Sequence, residues 1–188
     1  MHNVEATADL IEAITGYIFK DKMLCAEAVQ MASPRVAVVY QGAFRGVDNN
    51  KRLSILGDTV LAKVLCAAWF AARDEHGEYK MALSLTMAVL TSSDKPQTPA
   101  RWTIIRNEIL GNDGLAARGD ALGVDQCIFV ADGTYRKSPK MLATTLEAIV
   151  GAVFQDGGDD AVMRVIEHLG FLEHRFLTVT SQSSYLPP

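Results

Sequence analysis

Two long apolar stretches, each carrying a single acid, constrain this chain more than any other feature. The first is Asn50-Lys51-Arg52-Leu53-Ser54-Ile55-Leu56-Gly57-Asp58-Thr59-Val60-Leu61. The second is Leu142-Ala143-Thr144-Thr145-Leu146-Glu147-Ala148-Ile149-Val150-Gly151-Ala152. Both have helical spacing, and each sets one carboxylate, Asp58 or Glu147, among apolar neighbours. A lone carboxylate desolvated in such surroundings costs several kcal/mol, so each acid needs a partner. Two acids from distant segments satisfy each other by sharing a bound cation. Ser54 precedes Asp58 by four residues and Thr144 precedes Glu147 by three, so each lies on the face of its acid and carries no charge. The pattern is that of a metal site at half its charge.

A chain of 188 residues, 49% hydrophobic and 21% charged, has the chemistry of one globular domain with a sizeable core, not of disorder. No apolar run reads as long enough to span a bilayer, so no membrane partner is expected. Residues 1–19 contain no Lys or Arg but include Glu5, Asp9 and Glu12, unlike a secretory n-region or an Arg-rich presequence. Cys25, Cys66 and Cys127 are odd in number and widely spaced, which gives neither a disulfide framework nor a zinc pattern. A reducing, intracellular location follows as an expectation, with cytoplasm, nucleus and mitochondrion all open. The net charge of −4 offers no overall nucleic-acid signal, only local basic clusters.

Nearly every segment reads as helix. Leu10, Ile11 and Ile14 form one apolar face that stops at Gly16, and Asp21 is placed to cap a second helix. Residues 33–48, with Pro34, Gly42 and Gly46, read as an irregular connection; Val36–Tyr40 has strand propensity but no obvious pairing partner. The spacing predicts a long helix over Asn49–Arg73, with Leu53, Leu56, Val60 and Val64 in one stripe that Leu61 and Leu65 widen. Gly57 in its interior costs about 1 kcal/mol of helix propensity, which suggests close packing there. Residues 81–90 form a further apolar helical run, and Trp102–Ala121 one or two helices broken near Gly111. A polar, basic loop over Gly133–Pro139 leads into the Glu147 helix. That helix ends at Gly157-Gly158, and Asp159 and Asp160 open the next. The domain is expected to cover residues 1–177, with 178–188 as a flexible tail.

The Asn50–Leu61 segment resembles the hallmark helix of ribonuclease III domains, of the type Asn-Glu-Arg-Leu-Glu-Phe-Leu-Gly-Asp-Ala-Val-Leu. Leu142–Gly158 is similar to the family's second acidic helix, Leu-Ala-Asp-x-Phe-Glu-Ala-x-x-Gly-Ala followed by Asp-Gly-Gly. Gly16–Lys22 and Arg106–Val124 resemble the opening helix pair and the segment between the motifs. The likeness runs in order over roughly residues 10–175. It implies an all-α, dimeric ribonuclease III fold that acts on double-stranded RNA with Mg²⁺. The family's dimer-forming aromatic falls on Ile55. Its four metal-binding acids fall on Ser54, Asp58, Thr144 and Glu147. Asp58 and Glu147 alone inherit the catalytic and metal-ligand roles, while Ser54 and Thr144 are vestigial positions.

Further departures bear on activity. A family acid early in the first motif falls on Lys51, about 20 extra residues lie around 74–100, and no double-stranded-RNA-binding domain follows residue 175. Lys51, Arg52, Arg136, Lys137 and Lys140 are candidate RNA contacts, or else solvated surface. Asp58 and Glu147 are either ligands of one weak Mg²⁺ or a relic held by hydrogen bonds from Ser54, Thr144 or a buried water. Three functions stay open: a weakened endoribonuclease, an inactive RNA-binding scaffold such as a mitochondrial-ribosome or RNA-processing component, and a heterodimer partner of an active subunit.

Overall fold

A computed structural model describes residues 2–72 and 98–177. The expected 81–90 helix, the tail from 178 and most of the extra 74–100 segment lie outside the described residues. Helix α1 (Val4–Thr15) is capped by Asn3, whose side chain accepts from the Glu5 and Ala6 N–H groups, and stops at Gly16. Helix α2 (Met23–Val29) begins two residues after Asp21, whose Oδ1 accepts from the Met23 N–H at 2.9 Å. Helix α3 (Lys51–Ala71) and the long α6 (Pro139–His168) are the two motif helices, and they pack on each other as the centre of the domain. Between them come α4 (Pro99–Ile105), a π-helical turn (Arg106–Leu110), and α5 (Asn112–Ala121) after a break at Gly111. A 3₁₀ turn (Val124–Gln126) follows.

The 33–48 connection is not irregular. Strands β1 (Arg35–Tyr40) and β2 (Ala43–Asp48) form an antiparallel hairpin, with Val38 opposite Arg45 and Val36 opposite Val47. Gln41 and Gly42 both take positive φ (50° and 72°) at its tip, the backbone twist that two-residue hairpin turns require. The second strand escaped the sequence reading because Gly46 and Asp48 have poor strand propensity. Apart from this hairpin the elements among the described residues are helical, as an all-α fold requires.

A single core joins these elements. Leu53, Val60, Leu61, Val64 and Leu65 of α3 are buried with Leu146, Ile149, Val150 and Val153 of α6. Leu56 is half-buried at the margin of this stripe. Val162, Ile166 and Leu169 complete the core behind the kink in α6. That kink falls at Gly158, whose φ of 70° and ψ of −166° interrupt the helix where Gly157-Gly158 had marked a stop. By length and apolarity alone, α3 would suffice to cross a bilayer (21 residues, hydropathy 1.6), which corrects the expectation that no run is long enough. In this fold its apolar stripe is packed into the protein core.

Asp156, just before the kink, ties the opening helix pair to α6. Its carboxylate accepts from the Tyr17 hydroxyl at 2.7 Å and from the Lys20 and Asp21 N–H groups at 2.9 and 3.0 Å. Burial works against this charge, but the three donors outweigh it and hold the carboxyl below the usual aspartate range.

Candidate active site

The site is built by the closest approach of the two motif helices. An ideal Cβ on Gly57 would fall 1.8 Å from the Glu147 carbonyl oxygen, and one on Gly151 would fall 2.1 Å from the Leu53 carbonyl oxygen. Only a pair of glycines lets the backbones meet at this distance. The crossing therefore sets Asp58, the residue after Gly57, beside the turn of α6 that carries Glu147.

The electrostatics report the same proximity. Burial, and then the charge of Asp58, push the Glu147 carboxyl up to about 7. Glu147 is half-buried and Asp58 exposed, so the pair opens to solvent from the helix crossing. No hydrogen bond offsets the burial of Glu147. Ser54 is buried, and its hydroxyl donates to the Lys51 carbonyl at 3.0 Å. Its proton is thus engaged within its own helix and not with either acid, which removes Ser54 from the relic reading. Thr144 is half-buried one turn before Glu147. Among the described residues no group of three or more His, Cys, Asp and Glu side chains gathers as a metal cluster. The donor set is two carboxylates, with neutral oxygens at the two vestigial positions.

The basic candidates divide. Lys51 and Arg52 are exposed in the first turn of α3, and none of the ion pairs among the described residues uses either. Arg136 is exposed in the loop before α6, and Lys140 is exposed in the first turn of α6. Lys137 is half-buried, and its ammonium donates to the Asp125 carbonyl, which fastens the loop to the 3₁₀ turn. Ile55 is 71% exposed on α3, an apolar knob that the described residues do not cover. Sequence reasoning gave no role to Tyr17 and Asp156, although the Asp-Gly-Gly triplet marked the place. It also assigned none to His174, which pairs with Glu108 at 3.0 Å.

Comparison with known proteins agrees with this geometry. A family model described as Ribonuclease-III-like matches residues 40–172. Ribonuclease 3 of Syntrophotalea carbinolica is 31% identical over 172 residues, which cover 89% of this chain and 63% of that protein. Ribonuclease 3 of Geobacter metallireducens is 27% identical over 168 residues, covering 87% and 58%. The chain thus spans about six-tenths of the length of these curated relatives. The nuclease domain of ribonuclease III from Campylobacter jejuni superposes with a TM-score of 0.60 at 22% identity, over 86% of this chain and 95% of that one. At that identity the superposition speaks for the fold alone.

Proposed function

This chain belongs to the ribonuclease III-like family, and from that premise we propose that it binds double-stranded RNA as a homodimer and cleaves it weakly, with Mg²⁺, at Asp58 and Glu147. One observation carries the reading. Two carboxylates from separate motifs are brought together, so that burial and then the charge of Asp58 raise Glu147 to about 7. Such a pair of hard oxygen donors suits Mg²⁺, which keeps several waters and needs only one or two carboxylates. When bound there, the ion would neutralise phosphate charge and acidify a water.

The chain's own residues set how much of this chemistry is available. Without metal, Glu147 holds a proton over part of the neutral range, which relieves its repulsion with Asp58; binding a cation releases that proton. Ser54 and Thr144 put neutral oxygens where two further charges would sit. Loss of a well-placed catalytic group commonly costs about 10²–10⁴-fold in rate, which is why the expected cleavage is weak. Lys51, Arg52, Arg136 and Lys140 are exposed and positioned by helix or loop to take phosphate oxygens. Ile55 supplies the apolar contact of the dimer.

The test is incubation of the purified chain with long double-stranded RNA, with Mg²⁺ and with EDTA. Slow cleavage that EDTA abolishes supports the proposal, and binding without any cleavage rejects its catalytic half. A second reading draws on the neutral oxygens at Ser54 and Thr144, which leave only two carboxylates at the site: the domain is then an inactive scaffold or the partner of an active subunit. Co-purification with a second ribonuclease III-like chain distinguishes it.

A further inference from the structure

The hairpin that interrupts the helices carries a surface that the acid pair does not explain. Strand β1 is covered on its outer edge by the N-terminus, since the Val39 N–H donates to the His2 carbonyl at 3.1 Å and Asn3 bridges Val39. Strand β2 is therefore the free edge among the described residues. Its side chains are exposed except for Val47, and Phe44 is 69% exposed, a large aromatic left in water. Arg35 and Arg45 are exposed on the same ribbon; Arg45 projects to the face opposite Phe44, so these two side chains flank the free edge of β2. Three and four residues after β2 come Lys51 and Arg52, exposed in the first turn of α3. Over residues 35–52 there are four cations and one acid, Asp48, in a chain whose net charge is −4. Asp48 is already engaged by Arg35 at 3.7 Å. Two further acids lie nearby: Glu27 of α2, whose carboxyl burial and then Asp48 push up, with Arg52 opposing, and Glu5, whose carboxylate is engaged by the Gln41 N–H at the hairpin tip.

The ribbon is also held rigid. The Gln41 N–H donates to the Glu5 carboxylate at 2.9 Å at the tip, and the Asn49 N–H donates to the Pro34 carbonyl at 3.0 Å at the base. The Asn50 side chain donates to the Ala28 carbonyl at 3.1 Å, fixing the entry to α3. A basic, aromatic-bearing surface that is ordered in advance binds without the entropy cost of ordering a loop.

We propose that the β1–β2 hairpin is a docking surface for the backbone of an RNA duplex, with Arg45, Lys51 and Arg52 on phosphates and Phe44 packed against a ribose or base. The inference rests on the double-stranded-RNA reading above and extends it to Phe44 and Arg45, which lie outside the family motifs. Charge selects the occupant. A second copy of this chain would bring like charge against like, whereas a phosphate backbone is complementary. Proximity supports it: the basic run enters α3 at Arg52, six residues or about 9 Å along the helix from Asp58, a separation within the span of one duplex. A-form RNA shows its wide, shallow minor groove to such a surface, where shape and backbone are read in place of sequence.

The experiment measures binding of the full chain to a fluorescent RNA duplex in EDTA, where cleavage cannot contribute, at several salt concentrations. Phe44→Ala with Arg45→Ala should raise Kd at least tenfold, and the salt dependence should fall by about one contact. Arg45→Lys should keep most of the affinity. Both positions are exposed, so the thermal midpoint should not move, and an unchanged midpoint certifies that the fold is intact. Equal affinity and equal salt slope for wild type and the double variant would overturn the hairpin proposal and leave the double-stranded-RNA reading standing. A wild type that binds no duplex overturns both. Binding only to single-stranded RNA, capture by vesicles of anionic lipid in place of duplex, or loss of self-association in the double variant would each reassign the surface and overturn the proposal.

Discussion

Gly57 and Glu147 share one space: the Glu147 carbonyl oxygen lies 1.8 Å from where a Cβ on Gly57 would be. The crossing of α3 and α6 thus depends on a hydrogen atom in place of a methyl group. Gly57→Ala should gain up to about 1 kcal/mol of helix propensity and lose more through forced separation of the helices, for a net destabilisation of about 2 kcal/mol or more. Urea unfolding of the two proteins measures it. An alanine variant as stable as wild type would show that the helices are not held at this distance.

The raised carboxyl of Glu147 makes stability depend on pH in a fixed direction. Its folded value, about 7, lies above the ordinary glutamate value, so the folded state holds the proton more tightly than the unfolded chain. Its contribution is therefore fully present below about 4.5 and is lost as pH rises through 7. Glu147→Gln should remove this dependence. Because the group is partly exposed, we expect the variant to gain about 1–2 kcal/mol over wild type between pH 5 and pH 8. Urea midpoints at the two pH values supply the comparison, and an equal difference at both would contradict it.

Mg²⁺ should act on the same group. At pH 8 the ion should raise the thermal midpoint of wild type, and the rise should vanish in Asp58→Asn, since one carboxylate holds Mg²⁺ poorly. Calorimetry at pH 7 should also detect proton release on binding. No shift at tens of millimolar Mg²⁺ would count against a metal role for the pair.

How legible the domain was follows from which signals are local. Gly57 could be read as a close-packing point because a glycine inside an apolar helix has few other reasons to be there; its counterpart Gly151 was not singled out. The Gly158 kink and the Gly111 break were equally readable, since glycine there meets a change in hydrophobic phase. The β2 strand was not, because its pairing is set by β1 across the Gln41-Gly42 turn and not by its own residues. The engagement of Lys137 by the Asp125 carbonyl, and of Asp156 by Tyr17, depends on tertiary placement that spacing does not encode. The burial that raises Glu147 was foreseeable from its neighbours; that Ser54 would donate to Lys51 was not.

Ile55 provides a test of assembly. It is 71% exposed in the isolated chain, so a charge there meets no buried surface unless a second copy covers it. Ile55→Asp should leave the monomer folded, with circular dichroism unchanged, yet abolish a dimer seen by light scattering at micromolar concentration. A wild type that is monomeric at that concentration would remove the homodimer from the proposal.

The most demanding prediction concerns chemistry. If ligand loss alone limits cleavage, Ser54→Glu with Thr144→Asp should raise Mg²⁺-dependent cleavage of double-stranded RNA by about 10²-fold or more. Each new carboxylate lies on the face of an existing acid, at i,i+4 and i,i+3, where shared coordination is geometrically open. Either change alone should do less than the pair, because ligands of one metal act as a unit. The double variant should lose stability without metal, since four like charges would crowd a site where burial and then the charge of Asp58 already raise Glu147 to about 7. Mg²⁺ should restore that stability, which gives a readout independent of activity. Wild type, both single variants and the double variant are compared on long double-stranded RNA with Mg²⁺ and with EDTA. Strong cleavage by wild type would show that two acids suffice. A folded double variant that binds duplex and Mg²⁺ but does not cleave would place the defect outside the ligand set and favour the scaffold reading.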